Sequence, residues 1–179
     1  MTRIIVSLLL SLVLGPFAYA QGPSDGQYKL ASGDVVRIVV YGEPDLSIDE
    51  IPLNDAGTFS APLIGSIPAL DKTPHEVELI IEQKLRDSDL LKDPKVSVSA
   101  ITYRKFFISG EVQKPDGYNY QPGLTVDRAV ALAGGLTERA SKKKITITRG
   151  SGDKRSEEQA EFNSKVEPGD TITIDQGFF

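Results

Sequence analysis

Hydrophobic and polar positions recur with two different periods along this chain, and the period of two predicts strands. Residues 35–41 are β-branched and apolar at nearly every position, which is typical of a strand in a core. Residues 96–103 place Val96, Val98 and Ala100 on one face and serines on the other. Further strands are predicted at 58–64 (with Pro62 inside it), 106–112, 145–148 and 172–174.

The period of 3.6 predicts two helices. Thr73-Pro74-His75-Glu76 has the form of a capping box, in which the threonine hydroxyl and the glutamate carboxylate each bond the other residue's amide. The apolar stripe that follows predicts a helix ending near Leu91, and its members are Val77, Ile80, Ile81 and Leu85. A shorter helix begins after Thr125 and stops at Gly134-Gly135, with Val126, Ala129, Val130 and Ala133 on its apolar face.

These elements predict an α+β fold of two small β-rich lobes, each with one packed helix. We place the first lobe at residues 30–103 and the second at residues 104–179. One short pattern occurs in both lobes, because Gly33-Asp34 and Gly169-Asp170 each precede a strand. We interpret it as a recurring turn that leads into a strand, and not as a true repeat.

The N-terminus has the pattern of a secretory signal. Arg3 is followed by an apolar stretch over residues 4–14, and Ala18-Tyr19-Ala20 fits the small-x-small cleavage pattern. An uncleaved membrane anchor is the alternative, but the apolar stretch is roughly half of the ~20 residues that a spanning helix needs. We therefore predict a cleavable signal peptide at 1–20, a flexible lead-in at 21–29, and a mature chain outside the cytoplasm.

Charge and residue inventory argue against several function classes. The formal net charge is −5, and an acidic chain repels the phosphate backbone, so nucleic acid is not expected as a partner. Cysteine is absent and His75 is the single histidine, at the start of a predicted helix. No nucleophile elbow or phosphate-binding loop occurs. We therefore predict no enzymatic activity, no catalytic residue, no cofactor and no metal site.

Two features suggest binding. Lys142, Lys143 and Lys144 form a basic run beside a strand, with Arg149 further along. These four residues are our candidate contacts for an acidic glycan, although a solvated hairpin is the simpler interpretation. The aromatic residues near the lobe boundary could stack on sugar rings, but core or cross-strand packing explains most of them; they are Tyr103, Phe106, Phe107, Tyr118 and Tyr120.

The ordered motifs of the chain resemble those of bacterial outer-membrane polysaccharide export proteins, in which a polysaccharide-export domain precedes a β-grasp domain called SLBB. In the first lobe they are Tyr28-Lys29-Leu30-x-x-Gly33-Asp34-Val35-Val36, Asp55-Ala56-Gly57-Thr58-Phe59, Ala61-Pro62-Leu63-Ile64-Gly65 and Asp93-Pro94-Lys95-Val96-Ser97-Val98. In the second they are Ile108-Ser109-Gly110-Glu111-Val112-x-Lys114-Pro115-Asp116-Gly117-Tyr118, residues 124–137, and Val166-x-Pro168-Gly169-Asp170-Thr171-Ile172.

This resemblance implies a periplasmic component of a capsule or exopolysaccharide export channel, associated with the outer membrane and assembled as a homo-oligomeric ring. It implies polysaccharide as the cargo and an inner-membrane co-polymerase as a partner. Many family members carry a C-terminal amphipathic pore helix or a lipidated cysteine. This chain resembles a short form without them, so we expect a separate outer-membrane β-barrel to supply the pore. The alternative is a monomeric periplasmic module that binds a glycan or peptidoglycan.

Overall fold

The computed structural model describes residues 28–150 and 155–177 of the 179-residue chain. The predicted signal peptide and nearly all of the predicted lead-in lie outside the described residues. Within the described ranges, no helix has the length and apolar character needed to cross a membrane.

The first lobe combines a three-stranded sheet, a separate β-hairpin and one long helix. The order of strands in the sheet is β2-β1-β5, and both pairings are antiparallel. The elements are β1 (Val35–Val40), a 3-10 turn (Pro44–Leu46), β2 (Ile48–Pro52), β3 (Thr58–Ala61), β4 (Gly65–Pro68), α1 (Pro74–Asp87) and β5 (Val96–Thr102).

Helix α1 begins as predicted but ends earlier. Thr73 is the N-cap, and both hydrogen bonds of the capping box with Glu76 are present. The prediction of an end near Leu91 is wrong, because α1 ends at Asp87. There the Ser88 hydroxyl donates to the carbonyl of Lys84 at 2.8 Å, and Asp89 takes a left-handed conformation with φ of 55°. A side chain that bonds the last turn and a left-handed residue together terminate the helix.

The predicted strand over residues 58–64 is wrong beyond Ala61. The chain turns back at Pro62 and Leu63, whose φ is 63°, and Ala61 pairs with Gly65 in a β3–β4 hairpin. Pro62 has no amide proton to donate, so it suits a turn better than a ladder position.

The second lobe is a five-stranded mixed sheet in the order β7-β6-β10-β8-β9. Strands β6 and β10 are parallel, and the connection between them contains α2. The elements are β6 (Phe106–Gly110), β7 (Asp116–Tyr118), α2 (Val126–Leu132), β8 (Ala140–Arg149), β9 (Ser156–Ala160) and β10 (Thr171–Gln176).

Two strand predictions in this lobe need correction. The strand predicted to reach Val112 ends at Gly110, which has φ of 82° and lies so close to Ile174 that a Cβ would approach its carbonyl oxygen to 2.1 Å. A backbone approach of this kind admits only glycine. Strand β8 extends over ten residues, well beyond the predicted 145–148, and β9 was not predicted as a strand.

Each lobe encloses its own hydrophobic core. The first core includes Leu30, Ile38 and Val77, and the second includes Phe106, Val126 and Ile172. The predicted fold class is therefore confirmed: the protein is α+β, with two β-rich lobes that each pack one helix against a sheet.

Candidate functional site

Asp34 is a fully buried carboxylate at the boundary between the lobes. It accepts hydrogen bonds from the Tyr28 hydroxyl at 2.6 Å, from the amide of Ala31 at 2.8 Å and from the amide of Arg104 at 2.8 Å. The Arg104 guanidinium lies 3.5 Å from the same carboxylate and also donates to the Tyr28 hydroxyl at 3.0 Å. Because Arg104 is the first residue of the second lobe, this carboxylate connects the two lobes.

Asp170 is the second buried carboxylate of the described residues, and it is 1% exposed. The guanidinium of Arg149 donates to both of its oxygens, at 3.0 and 2.9 Å, and the amide of Glu167 donates at 2.7 Å. A bidentate arginine and a backbone donor together compensate the loss of hydration of a buried carboxylate. Asp170 therefore stabilises the loop that leads into β10.

The two aspartates share one local geometry. In each lobe the preceding glycine has φ of 87°, and the aspartate accepts a hydrogen bond from the amide three residues before it. In each lobe the aspartate amide also donates back to the carbonyl of that residue, at 3.1 Å. The Gly33-Asp34 and Gly169-Asp170 patterns thus form the same turn, which positions a buried carboxylate at the start of a strand.

Two groups in these networks have shifted pKa values. Burial, together with the hydrogen bond to Asp34, raises the pKa of the Tyr28 hydroxyl far above its usual value. The bidentate bond to Asp170 raises the pKa of the Arg149 guanidinium. Each raised pKa reflects the hydrogen bond that the protonated group donates to a buried aspartate.

Aromatic rings continue the connection between the lobes. The ring of Tyr103 contacts Tyr28 edge-to-face at 4.9 Å and Tyr120 edge-to-face at 5.4 Å, measured between centroids. Tyr28 packs against the first core and Tyr120 against the second. We call this contact the joint, and its members are Tyr28, Asp34, Tyr103, Arg104, Tyr120 and Gly169. At Gly169 a Cβ would approach the Arg104 Nε to 2.6 Å, so glycine is needed there.

The structure does not bring the four predicted glycan contacts together. Lys142 and Lys143 are exposed near the start of β8, whereas Arg149 lies at its end, about 20 Å away at the rise of a strand. Arg149 forms ion pairs with Glu158, Glu167 and Asp170. The glycan role of Lys142, Lys143 and Lys144 stays a prediction, and Arg149 is engaged with acidic side chains.

The aromatic residues mostly pack inside the second lobe. Phe106 is buried and stacks on Tyr118 at 5.9 Å between centroids, and the Tyr118 hydroxyl donates to the carbonyl of Lys114. Phe107, on the opposite face of the same strand, is 51% exposed.

The remaining candidate for catalysis is the single histidine. His75 lies in the first turn of α1, largely exposed, with its Nδ1 2.9 Å from a carboxylate oxygen of Glu78. Within residues 28–150 and 155–177, no three histidine or acidic side chains are grouped so as to hold a metal ion.

The joint is the feature that sequence reasoning missed. The motifs found in the sequence include Tyr28 and Asp34, and Arg104 begins the second predicted lobe. The hydrogen bonds that join Arg104 to these two residues span 70 and 76 positions of the chain. The sequence signal that could have indicated the joint was the repeated Gly-Asp pattern. Each aspartate of this pattern forms an ion pair with an arginine from elsewhere in the chain.

Comparison with known families identifies the class of protein that this two-lobe architecture defines. The sequence model described as polysaccharide biosynthesis/export protein matches residues 22–100, and the model of the SLBB domain matches residues 105–159. The two domains follow one another in the predicted order. The chain therefore belongs to the family of polysaccharide export proteins.

Three curated relatives agree with this assignment. The chain is 45% identical over 82 residues to exopolysaccharide production protein ExoF of Rhizobium meliloti, covering 45% of the chain and 20% of the relative. It is 26% identical over 149 residues to EPS I polysaccharide export outer membrane protein EpsA of Ralstonia nicotianae, covering 69% of the chain and 39% of the relative. It is 29% identical over 97 residues to polysialic acid transport protein KpsD of Escherichia coli, covering 54% of the chain and 17% of the relative. The chain thus matches well under half the length of each of these relatives.

Proposed function

We propose that this chain is a periplasmic component of a capsule or exopolysaccharide export channel, which forms or supports a ring that conducts the polymer toward the outer membrane. The observation that carries the proposal is the ordered pair of family domains. Its cargo is a polysaccharide. Its partners are further copies of itself, an inner-membrane co-polymerase and an outer-membrane barrel protein.

The joint supports a structural role. A subunit of a conduit must present the same surfaces in every copy, and a flexible link between its lobes would prevent this. Here an ion pair with a fully buried carboxylate and three tyrosine rings in edge-to-face contact link the two lobes. The pairing of a buried charge is one device by which proteins select a single arrangement, and we assign that role to Asp34.

The state of the buried carboxylates supports the absence of bond-breaking chemistry. A general acid or base needs a lone pair or proton that faces the substrate. Asp34 and Asp170 are each engaged by arginine and backbone donors, and neither lines the groove at residues 39–49 or the one at residues 121–132. We therefore propose that the chain conducts the polymer and leaves its glycosidic bonds intact, with no cofactor.

The ring is tested by measuring the mass of the purified chain by sedimentation and light scattering. We expect a complex of several subunits at micromolar concentration. A mass equal to that of one chain at every concentration, together with saturable binding of a glycan or peptidoglycan fragment, would favour the monomeric binding module instead.

The absence of cleavage is tested by incubating the protein with the polysaccharide of its own strain. We expect the length distribution of the polymer, measured by size-exclusion chromatography, to remain unchanged. Progressive shortening that requires the protein would contradict the proposal.

A further inference from the structure

A shallow groove lies at the end of the first lobe. It has a volume of about 430 Å³, and Val39, Tyr41 and Pro44 contribute its apolar surface. Tyr41 is 66% exposed. The loop that forms the groove is held by Ser47, whose hydroxyl oxygen accepts from the amide of Val40 at 2.9 Å and donates to the carbonyl of Glu43 at 3.1 Å. The groove is therefore formed before any partner binds.

The polar rim of this groove is acidic. Glu43 and Asp49 line it, and Asp45 and Glu50 are exposed beside it. Arg37 approaches the carboxylate of Asp49 only to 4.0 Å, and the Asp49 side chain is 99% exposed. A solvent-exposed pair at this distance interacts only weakly. The groove thus combines an exposed aromatic ring with an excess of acidic over basic side chains, and this combination fits a cationic side chain.

The basic run provides cationic side chains on the second lobe. Lys142 and Lys143 are exposed, and in the part of the chain that the structure describes their ammonium groups make no ion pair. The backbone of the run is fixed, because the carbonyl of Lys143 accepts a hydrogen bond from the Gln159 side chain at 2.8 Å.

The topology places the groove and the basic run far from the joint in both lobes. Strand β1 starts beside Asp34 in the joint and reaches the groove about 20 Å further on. Strand β10 starts beside Gly169, and the register of β8 places Thr148 opposite Thr171 near the joint and Ala140 opposite Gln176 at the far end. Lys142 and Lys143 therefore lie at the end of the second lobe that is remote from the joint.

We propose that the acidic groove of one copy binds the Lys142–Lys143 segment of a neighbouring copy. The inference rests on the proposed function, and it names the surfaces through which subunits associate. The two surfaces differ, so the contact is heterologous, and a pair of copies leaves one groove and one basic run unoccupied for further copies. Contacts of this type repeat from copy to copy and close into a ring when the rotation between subunits permits.

A second copy fits the basic run better than an acidic glycan does. Arg149, which would have enlarged the basic surface, is engaged by three acidic side chains. The groove of a second copy, in contrast, carries Glu43 and Asp49 beside the exposed Tyr41 ring, and charges in such a contact lie within the roughly 8 Å over which they interact in physiological salt.

The experiment is a charge exchange on the full chain. One variant is Lys142→Glu with Lys143→Glu, the second is Asp45→Lys with Asp49→Lys, and the third combines all four changes. The control for the lysine variant is Lys105→Glu with Lys114→Glu, which makes the same change in net charge at two exposed lysines elsewhere. Subunit association is measured by sedimentation at 50 and 500 mM salt, with circular dichroism to establish folding.

We expect each two-site variant to raise the dissociation constant between subunits at least about tenfold, because like charges then face each other across the contact. The four-site variant should recover association to within about threefold of the wild type, since the charges are exchanged and again complementary. The Lys105/Lys114 control should associate like the wild type.

Three outcomes would overturn the inference. Unchanged association of both two-site variants would show that subunits meet elsewhere, while the ring itself would stand. Failure of the folded four-site variant to recover association would exclude the direct contact. Saturable binding of an acidic oligosaccharide that Lys142→Glu with Lys143→Glu abolishes, with association intact, would assign the basic run to the glycan.

Discussion

At the scale of single residues, the two buried aspartates determine how the chain is organised. Each aspartate directly precedes a strand and follows a glycine with φ of 87°. Each is also paired with an arginine from elsewhere in the chain. Removal of one member of a buried pair leaves the other without compensation, and this is more costly than the pair itself is favourable.

Substitution of Asp34→Asn tests this at the joint. The amide is similar in shape, but it places an NH₂ group among three donors and leaves Arg104 without its counterion. We expect the free energy of unfolding to fall by about 3 kcal/mol, measured by urea denaturation. Asp55→Asn, in an exposed turn, should change it by less than about 0.5 kcal/mol. Equal stabilities of the two variants would contradict this account of Asp34.

The raised pKa of Tyr28 predicts a loss of stability in alkali. Its hydroxyl keeps its proton in the folded chain, whereas in the unfolded chain it ionises near pH 10.0. Above that pH the folded state binds more protons than the unfolded state, so stability falls as pH rises. Tyr28→Phe should be less stable than the wild type at pH 7 but should lose less stability between pH 9.5 and 11. A parallel decline of both proteins would show that Tyr28 does not titrate on unfolding.

At the scale of elements, helix α1 closes the edge of the first sheet. Strand β5 is an edge strand, and the carboxylate of Glu78 accepts from the amide of Val98 at 2.9 Å, while Glu82 accepts from the amide of Val96 at 3.2 Å. Open edge strands promote pairing with other chains. These two glutamates therefore satisfy two of the outward amides of β5 and cover part of this edge.

The double substitution Glu78→Ala with Glu82→Ala tests this closure. Two amides would lose their acceptors, so we expect a destabilisation of about 2 kcal/mol and faster hydrogen exchange at Val96 and Val98. Gln83→Ala on the exposed face of the same helix is the control. Unchanged exchange rates at these two amides would mean that water serves them as well as the carboxylates do.

Sequence patterns predicted the elements whose determinants are local. The capping box of α1 was predictable because Thr73 and Glu76 are three positions apart, and β1 because its apolar run is continuous. Strand β9 was not predictable, because four of its five residues are exposed and its position depends on pairing with β8. The joint was not predictable either, because Asp34 and Arg104 are 70 positions apart in the chain. The motifs of the family, by contrast, were sufficient to predict both domains and their order.

At the scale of the whole molecule, the joint converts two small cores into one unit. Arg104 contacts Asp34 and Tyr28 of the first lobe and lies against Gly169 of the second. Loss of this side chain removes the charged link while leaving both cores intact. The two lobes should then behave as more independent bodies.

Arg104→Ala should therefore separate the unfolding of the two lobes. We expect a broadened or two-step transition in urea and an increase in the radius of gyration by small-angle scattering, because the lobes sample more orientations. Lys105→Ala, at the neighbouring exposed position, should unfold and scatter like the wild type. A single transition of unchanged width in the Arg104 variant would show that the aromatic contacts alone fix the lobes.

The central claim is that this chain moves polysaccharide out of the cell without altering it. The most direct measurement compares secreted and retained polysaccharide in a strain that lacks the gene and in the same strain complemented with it. The account predicts that secretion falls to background without the gene and returns with it, with the length of the secreted polymer unchanged. Normal secretion in the absence of the gene would contradict the account.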